Sequence, residues 1–177
     1  RYPLLIDRDR KVLSMPPIIN GELTRVTSKA TNLFLDVTGT DNVAVERSLN
    51  VLATALSDMG GTIEKVHVKC LERTVVSPNL APQRMKLRIS CANELLGLTL
   101  SEAQVIESLR KSRLDAKALR KGLVEAVVPA YRIDVLHEVD LVEEVAIGYG
   151  YYRMKATIPE TATIGEQHPI HRTANLA

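Results

Sequence analysis

The stretch Pro129-Ala-Tyr-Arg-Ile-Asp134-Val-Leu-His-Glu-Val-Asp140-Leu-Val-Glu143-Glu144-Val-Ala146 runs on into Gly148-Tyr149-Gly150-Tyr151 and carries four carboxylates: Asp134, Asp140, Glu143 and Glu144. At 100° per residue, residues 141–149 predict a short amphipathic helix. Asp140, Glu143 and Glu144 crowd one face, and Leu141, Val142, Val145, Ala146 and Tyr149 fill the other. Asp134 precedes the helix by enough chain to approach the acidic face from a neighbouring segment. Like charges held close together are costly unless something positive joins them. A hard divalent cation with oxygen ligands, magnesium in particular, would meet that need. A plainer reading stands beside it. Asp140 is a suitable N-cap, Glu143 three residues on completes a capping box, and the acidic face is simply solvated.

Working back from this helix, residues 85–158 predict a small α+β unit. Met85, Leu87 and Ile89 alternate as in a strand. A short helix follows over residues 91–96 and stops at Gly97. Ser101 reads as the N-cap of the next helix, with Gln104 closing a capping box and Leu100 and Val105 forming a hydrophobic staple. That helix extends to about Lys111. Two strands then flank Lys121-Gly122, with Val124, Val127 and Val128 in the second. Helices followed by a hairpin suggest a winged-helix-like arrangement, although element order alone is weak support for it. Residues 73–84 contain Ser77-Pro78-Asn79 and Ala81-Pro82 without periodicity and read as a linker at a domain boundary.

Residues 1–72 read as part of an α/β unit. Residues 3–6 and 12–15 suggest a hairpin around Asp7-Arg8-Asp9-Arg10. Pro16-Pro17 breaks the second strand, and Asn20-Gly21 offers a tight turn. Residues 32–38 alternate: Leu33, Leu35 and Val37 on one side, Phe34, Asp36 and Thr38 on the other. A long helix then carries Val45, Leu49, Leu52, Leu56 and Met59 at helical spacing and ends at Gly60-Gly61. A strand with Val66, Val68 and Cys70 on one face follows. His67 on that strand reads as solvated. The tail over residues 159–177 reads as a connector, and His168-Pro169-Ile170-His171 as connector residues rather than a metal site.

Composition narrows the function classes. The chain has 177 residues, 45% hydrophobic and 25% charged, enough apolar content for a core. A formal net charge of +2 does not by itself signal nucleic-acid binding. Cys70 and Cys91 form no CxxC pair and read as buried thiols of a reducing compartment. No apolar run is long enough to span a bilayer, and the expected location is cytoplasmic. An opening at Arg1-Tyr2-Pro3 without methionine suggests a portion of a longer polypeptide. No P-loop, Rossmann glycine pattern, nucleophile elbow or zinc motif is present.

Two further constellations matter. Asp36-Val37-Thr38-Gly39-Thr40-Asp41 brings hydroxyls, a glycine and carboxylates to a helix N-terminus. Exposed N–H groups there attract anions or carbonyl oxygens, and glycine permits close approach. Asp36 and Thr38 can hold an amino group and orient a water; alternatively Thr40 or Asp41 simply caps the helix. The basic stretch Arg110, Lys111, Arg113, Lys117, Arg120 and Lys121 can meet phosphates, or is a solvated helix end and loop. No aromatic residue interleaves with it to stack on bases.

The blocks Leu13-Ser14-Met15-Pro16-Pro17-Ile18-Ile19-Asn20-Gly21, residues 32–41 and residues 128–151 together resemble the middle of the β subunit of phenylalanyl-tRNA synthetase, in its archaeal and eukaryotic form. The similar regions span about residues 1–158. The resemblance implies the C-terminal half of an editing domain over residues 1–72 and a winged-helix-like domain over residues 85–158. It implies a class II synthetase, an α2β2 tetramer that joins phenylalanine to its tRNA using ATP, with the synthetic site on the α subunit. Hydrolytic editing of tyrosyl-tRNA would involve Asp36, Thr38, Gly39 and Thr40. Asp134, Asp140, Glu143 and Glu144 would be magnesium ligands at a site shared with the α subunit. Bacterial members continue the last block with Ala-Arg and a bulky residue, where this chain has Ala146-Ile147-Gly148. The front half of the editing domain has no counterpart among these residues. Two alternatives remain: a stand-alone nucleic-acid-binding winged-helix module, and a pure assembly scaffold.

Overall fold

The computed structural model describes residues 3–17, 19–158 and 165–176. The architecture is α+β. Its packed centre is built from the second half of the chain. Strands β6 (Gln83–Arg88), β7 (Asp115–Arg120) and β8 (Leu123–Val128) form an antiparallel sheet with β8 in the middle. Leu87 stands opposite Val124, and Ala116 opposite Ala126. Because side chains alternate across a strand, Val124, Ala126 and Val128 all turn inward. Helices α2 (Ile89–Leu96), α3 (Glu102–Lys111) and α4 (Glu138–Tyr149) cover that face. Leu87, Val105, Leu109, Leu114, Val124, Leu141 and Val145 are fully buried in one cluster.

Local chemistry sets the boundaries of these helices. Gly97 ends α2 in the left-handed conformation, at φ 64°. Ser101 Oγ accepts from the Gln104 N–H at 3.4 Å, and Gln104 Oε1 accepts from the Ser101 N–H at 2.8 Å. This reciprocal capping satisfies N–H groups that a helix start otherwise leaves free. Leu100 and Val105 are both buried in the same cluster, as a staple requires.

The crossing of α3 and α4 is close enough to demand glycine. A Cβ on Gly148 would stand 1.9 Å from the Ser108 carbonyl oxygen. One turn away, Ser112 Oγ donates to the Glu144 carbonyl at 2.8 Å.

The first half is more open. Strands β1 (Leu5–Ile6), β2 (Val12–Met15) and β3 (Ile19–Asn20) form a small antiparallel sheet. Thr24 Oγ1 ties the following turn back by donating to the Leu13 and Gly21 carbonyls at 2.8 and 3.0 Å. Helix α1 (Asn42–Asp58) buries only Asn50 and Ala53. Strands β4 (Val66–Lys69) and β5 (Thr74–Ser77) make a separate hairpin.

Several expectations are corrected here. Residues 32–38 alternate but form no strand, since no neighbouring strand pairs with them among the described residues. Of the expected apolar stripe on α1, Leu52 and Met59 are exposed, at 48% and 84%. Cys70 is exposed and Cys91 only half-buried. The stretch expected as a linker carries β5 and the start of β6. In the tail, His168 caps a short helix α5 (Pro169–Ala174), and its ring meets that of His171 edge-on at 6.5 Å. Residues 159–164 of the expected connector lie outside the described residues, as does Ile18 of the Pro-Pro-Ile-Ile-Asn-Gly block.

Replacing Gly148 with Ala is expected to push α3 and α4 apart at the Ser108 carbonyl. The cost should be about 3 kcal/mol, the upper end for overpacking a tight core. Thermal unfolding checks this: Tm should fall by roughly 6–12 °C for a chain of this size.

Candidate functional site

The four carboxylates of the acidic segment occupy four different environments. Helix α4 begins at Glu138, three residues earlier than the pattern indicated, with His137 at its N-cap position. Asp140 is therefore not the cap. It sits in the first turn, and its Oδ2 accepts from the backbone N–H groups of Leu136 and His137 at 2.7 and 2.6 Å. Those two donors hold the Asp140 carboxyl below the usual carboxylate range, against partial desolvation and the like charge of Asp134.

Asp134 and Glu144 meet a common partner. Arg132 Nε and Nη2 donate to the two oxygens of Asp134 at 2.9 and 2.6 Å. Arg132 Nη2 also donates to Glu144 Oε1. Asp134 and then Glu144 push the guanidinium pKa further up, and Arg132 in turn holds the Asp134 carboxyl low. Glu144 is buried, at 7% exposed. An ionised carboxylate at such a position needs a close counter-charge, and Arg132 provides it. Glu143, one residue earlier, is exposed. Arg88 makes a parallel contact at the helix start: its Nη2 lies 2.7 Å from Glu138 Oε2, and its backbone N–H donates to Glu138 Oε1 at 2.7 Å.

The four residues thus do not converge on one point. Among the described residues, no group of three or more His, Cys, Asp and Glu side chains is placed to hold a metal ion. As arranged, the donors do not fit a magnesium ion: two are committed to a guanidinium and a third to backbone N–H groups. Arg132 was not among the expected site residues, because the pattern of four acids points to an external cation rather than to a neighbouring side chain. The guanidinium comes from the loop before α4.

At the other candidate site, Asp36 and Thr38 are brought together. They line an open hollow of about 420 Å³ with Ser14, Pro16, Pro17, Asn20, Phe34 and Leu35. The proline pair and the residues around Asp36 are separated in sequence and joined here. Gly39 and Thr40 do not line that hollow. Gly39 instead tucks against the first turn of α1, where a Cβ would meet Val45 Cγ2 at 2.9 Å. Of the two expected capping residues, Asp41 does the capping: its Oδ1 accepts from the Ala44 N–H at 2.7 Å.

A second hollow, about 240 Å³, lies between α1 and the segment after β8, with Glu46, Arg47, Asn50, Asn79 and Arg132 on its walls. Asn50 Nδ2 donates to the Asn79 carbonyl at 2.9 Å. The basic stretch is partly neutralised from within. Lys111 pairs with Glu107 at 2.8 Å, Lys117 with Glu125 at 3.3 Å, and Arg110 with Asp115 at 3.7 Å. No described helix is long and apolar enough to cross a membrane.

Residues 85–151, the unit built around α4, match the family described as the tRNA synthetase B5 domain. The phenylalanine–tRNA ligase beta subunit of Methanothrix thermoacetophila is 48% identical over 170 residues, covering 96% of this chain and 31% of that protein. The corresponding subunit of Methanosarcina barkeri is 47% identical, again over 96% of this chain and 31% of the relative. This chain is similar, over nearly its whole length, to a portion of archaeal phenylalanyl-tRNA synthetase beta subunits. It spans about a third of the length of the curated relatives it matches. The crystal structure of an N-terminal fragment of the Pyrococcus horikoshii beta subunit is also similar. It has a TM-score of 0.81 at 40% identity over 85% of this chain and 43% of that one.

The charge arrangement sets the response to acid. Asp134 and Asp140 both have folded-state pKa values below their unfolded ones. Their stabilisation is complete above the unfolded value, about 3.9, and is lost as pH falls through the depressed folded values. Tm should therefore hold level from pH 7 to about pH 5 and fall below pH 4. Asp140→Asn should make the fall shallower; an unchanged acid slope would remove Asp140 from that effect.

Proposed function

We propose that this chain works as part of the beta subunit of a phenylalanine–tRNA ligase, which attaches phenylalanine to its tRNA at the expense of ATP. The observation that carries the reading is near-complete coverage of the chain by beta subunits at 42–48% identity. In this reading the protein assembles with an alpha subunit as an α2β2 tetramer in the cytoplasm, and the alpha subunit holds the synthetic site and ATP.

The first half contributes to hydrolytic editing of tyrosyl-tRNA. The support is chemical. The hollow has an aromatic and proline wall and four polar residues, Ser14, Asn20, Asp36 and Thr38. A phenolic hydroxyl can pair with such groups, whereas phenylalanine would leave them unpaired, and that asymmetry favours tyrosine. Gly39 and Thr40 support the same segment rather than the wall. The acidic face of α4 lies toward the alpha subunit. A magnesium ion at Asp134 and Glu144 would take the place that Arg132 holds in this structure. The nucleic-acid-module alternative is disfavoured, because half of the basic stretch already pairs with acids of the same unit. The scaffold alternative is separated from editing by activity on mischarged tRNA.

The test is Asp36→Ala in the intact tetramer. Deacylation of tyrosyl-tRNA should slow by roughly 10-fold or more, as for loss of a specific polar contact, while aminoacylation with phenylalanine stays unchanged. Unchanged deacylation would remove Asp36 from the site.

A further inference from the structure

The acidic segment of α4 is closed by a positive charge that the chain itself supplies. Arg132 makes two hydrogen bonds to Asp134 and one to Glu144, linking the loop after β8 to the side of α4. Glu144 is the innermost of the four carboxylates, and its backbone carbonyl is also engaged, by Ser112 Oγ. The guanidinium is itself mostly covered, with 22% of its side chain exposed. A planar fork of donors matches two carboxylates better than a point charge does, which suits arginine to this position.

We infer that Arg132 is the resident counter-cation of this segment. It holds the loop of residues 129–136 against α4 without a divalent ion, and a cation reaches Asp134 and Glu144 only by displacing it. The carboxylate geometry supports this. Asp140 spends one oxygen on two N–H groups, Glu143 is exposed, and among the described residues no third ligand stands beside the Asp134 and Glu144 pair. The structure also offers the displaced side chain somewhere to go. Arg132 borders the 240 Å³ hollow whose opposite wall carries Glu46, an alternative acceptor. The loop is then latched by Arg132 itself, and a divalent cation in solution leaves that latch in place.

This inference concerns the same face as the magnesium reading but can stand if that reading fails. The experiment compares the wild-type chain with Arg132→Gln and Arg132→Lys. Tm and amide exchange over residues 129–146 are followed in a metal chelator and in millimolar magnesium. Wild type should show the same Tm and the same protection in both. Arg132→Gln leaves Glu144 buried without a partner, so its Tm in chelator should fall by roughly 5 °C or more, with faster exchange in the loop. Arg132→Lys should recover part of the loss. If magnesium restores Arg132→Gln while leaving wild type unchanged, the carboxylates take a cation only once Arg132 is gone, as the inference states. If Arg132→Gln is destabilised but ignores magnesium, the resident counter-cation stands, and these carboxylates hold no magnesium in this chain alone. A wild-type chain that loses stability in chelator would overturn the inference. So would an Arg132→Gln chain as stable in chelator as wild type. Should the Gln variant not fold, the wild-type comparison and Arg132→Lys decide it.

Discussion

A carboxylate on the inward side of a helix needs a close partner, and the second half of this chain is arranged around supplying one to Glu144. Glu144 lies between Leu141 and Val145, both fully buried. Moving it outward would rotate α4 and expose that apolar face. The buried apolar face sets the orientation of α4, and Arg132 supplies the counter-charge that Glu144 meets there. Arg132 in turn comes from a loop whose path is fixed by β8 behind it and buried Val135 ahead of it. The close crossing at Gly148 holds the other end of α4 against α3. Sheet, loop and helix are thus coupled through one ion pair and one backbone contact.

The same coupling bears on function. The loop that supplies Arg132 also forms a wall of the hollow facing α1. Asn50, buried on α1, reaches the Asn79 carbonyl just before β6. The loop carrying Arg132 and the helix that follows Asp36, Thr38 and Gly39 therefore border one hollow. A short run of contacts thus joins the segment around Asp36 and Thr38 to the loop that carries Arg132.

Much of this was legible from local signals. Ser101 with Gln104, Gly97 after α2, and Asp41 at the start of α1 each declare a boundary, because caps depend on residues only a few positions apart. The alternation in β8 was legible for the same reason. What sequence spacing could not show was pairing between distant parts. Residues 32–38 alternate as a strand does, but a strand exists only when another strand accepts its hydrogen bonds. Asp140 carries the residue type of an N-cap, yet it serves as the first-turn acceptor for Leu136 and His137. The apolar residue Val139 between Glu138 and Asp140 hid the earlier start of the helix. Arg132 was hidden more thoroughly: a cluster of acids draws attention to missing cations, and the cation came from the loop twelve residues before Glu144.

The central claim is that the charge closing this acidic segment belongs to the protein. A crystal structure of the chain grown in manganese, with anomalous data collected at the metal edge, addresses it directly. The account predicts Arg132 forked onto Asp134 and bonded to Glu144, with no anomalous peak between those carboxylates. A strong peak at Glu144 with Arg132 turned away, in the wild-type chain on its own, would contradict it.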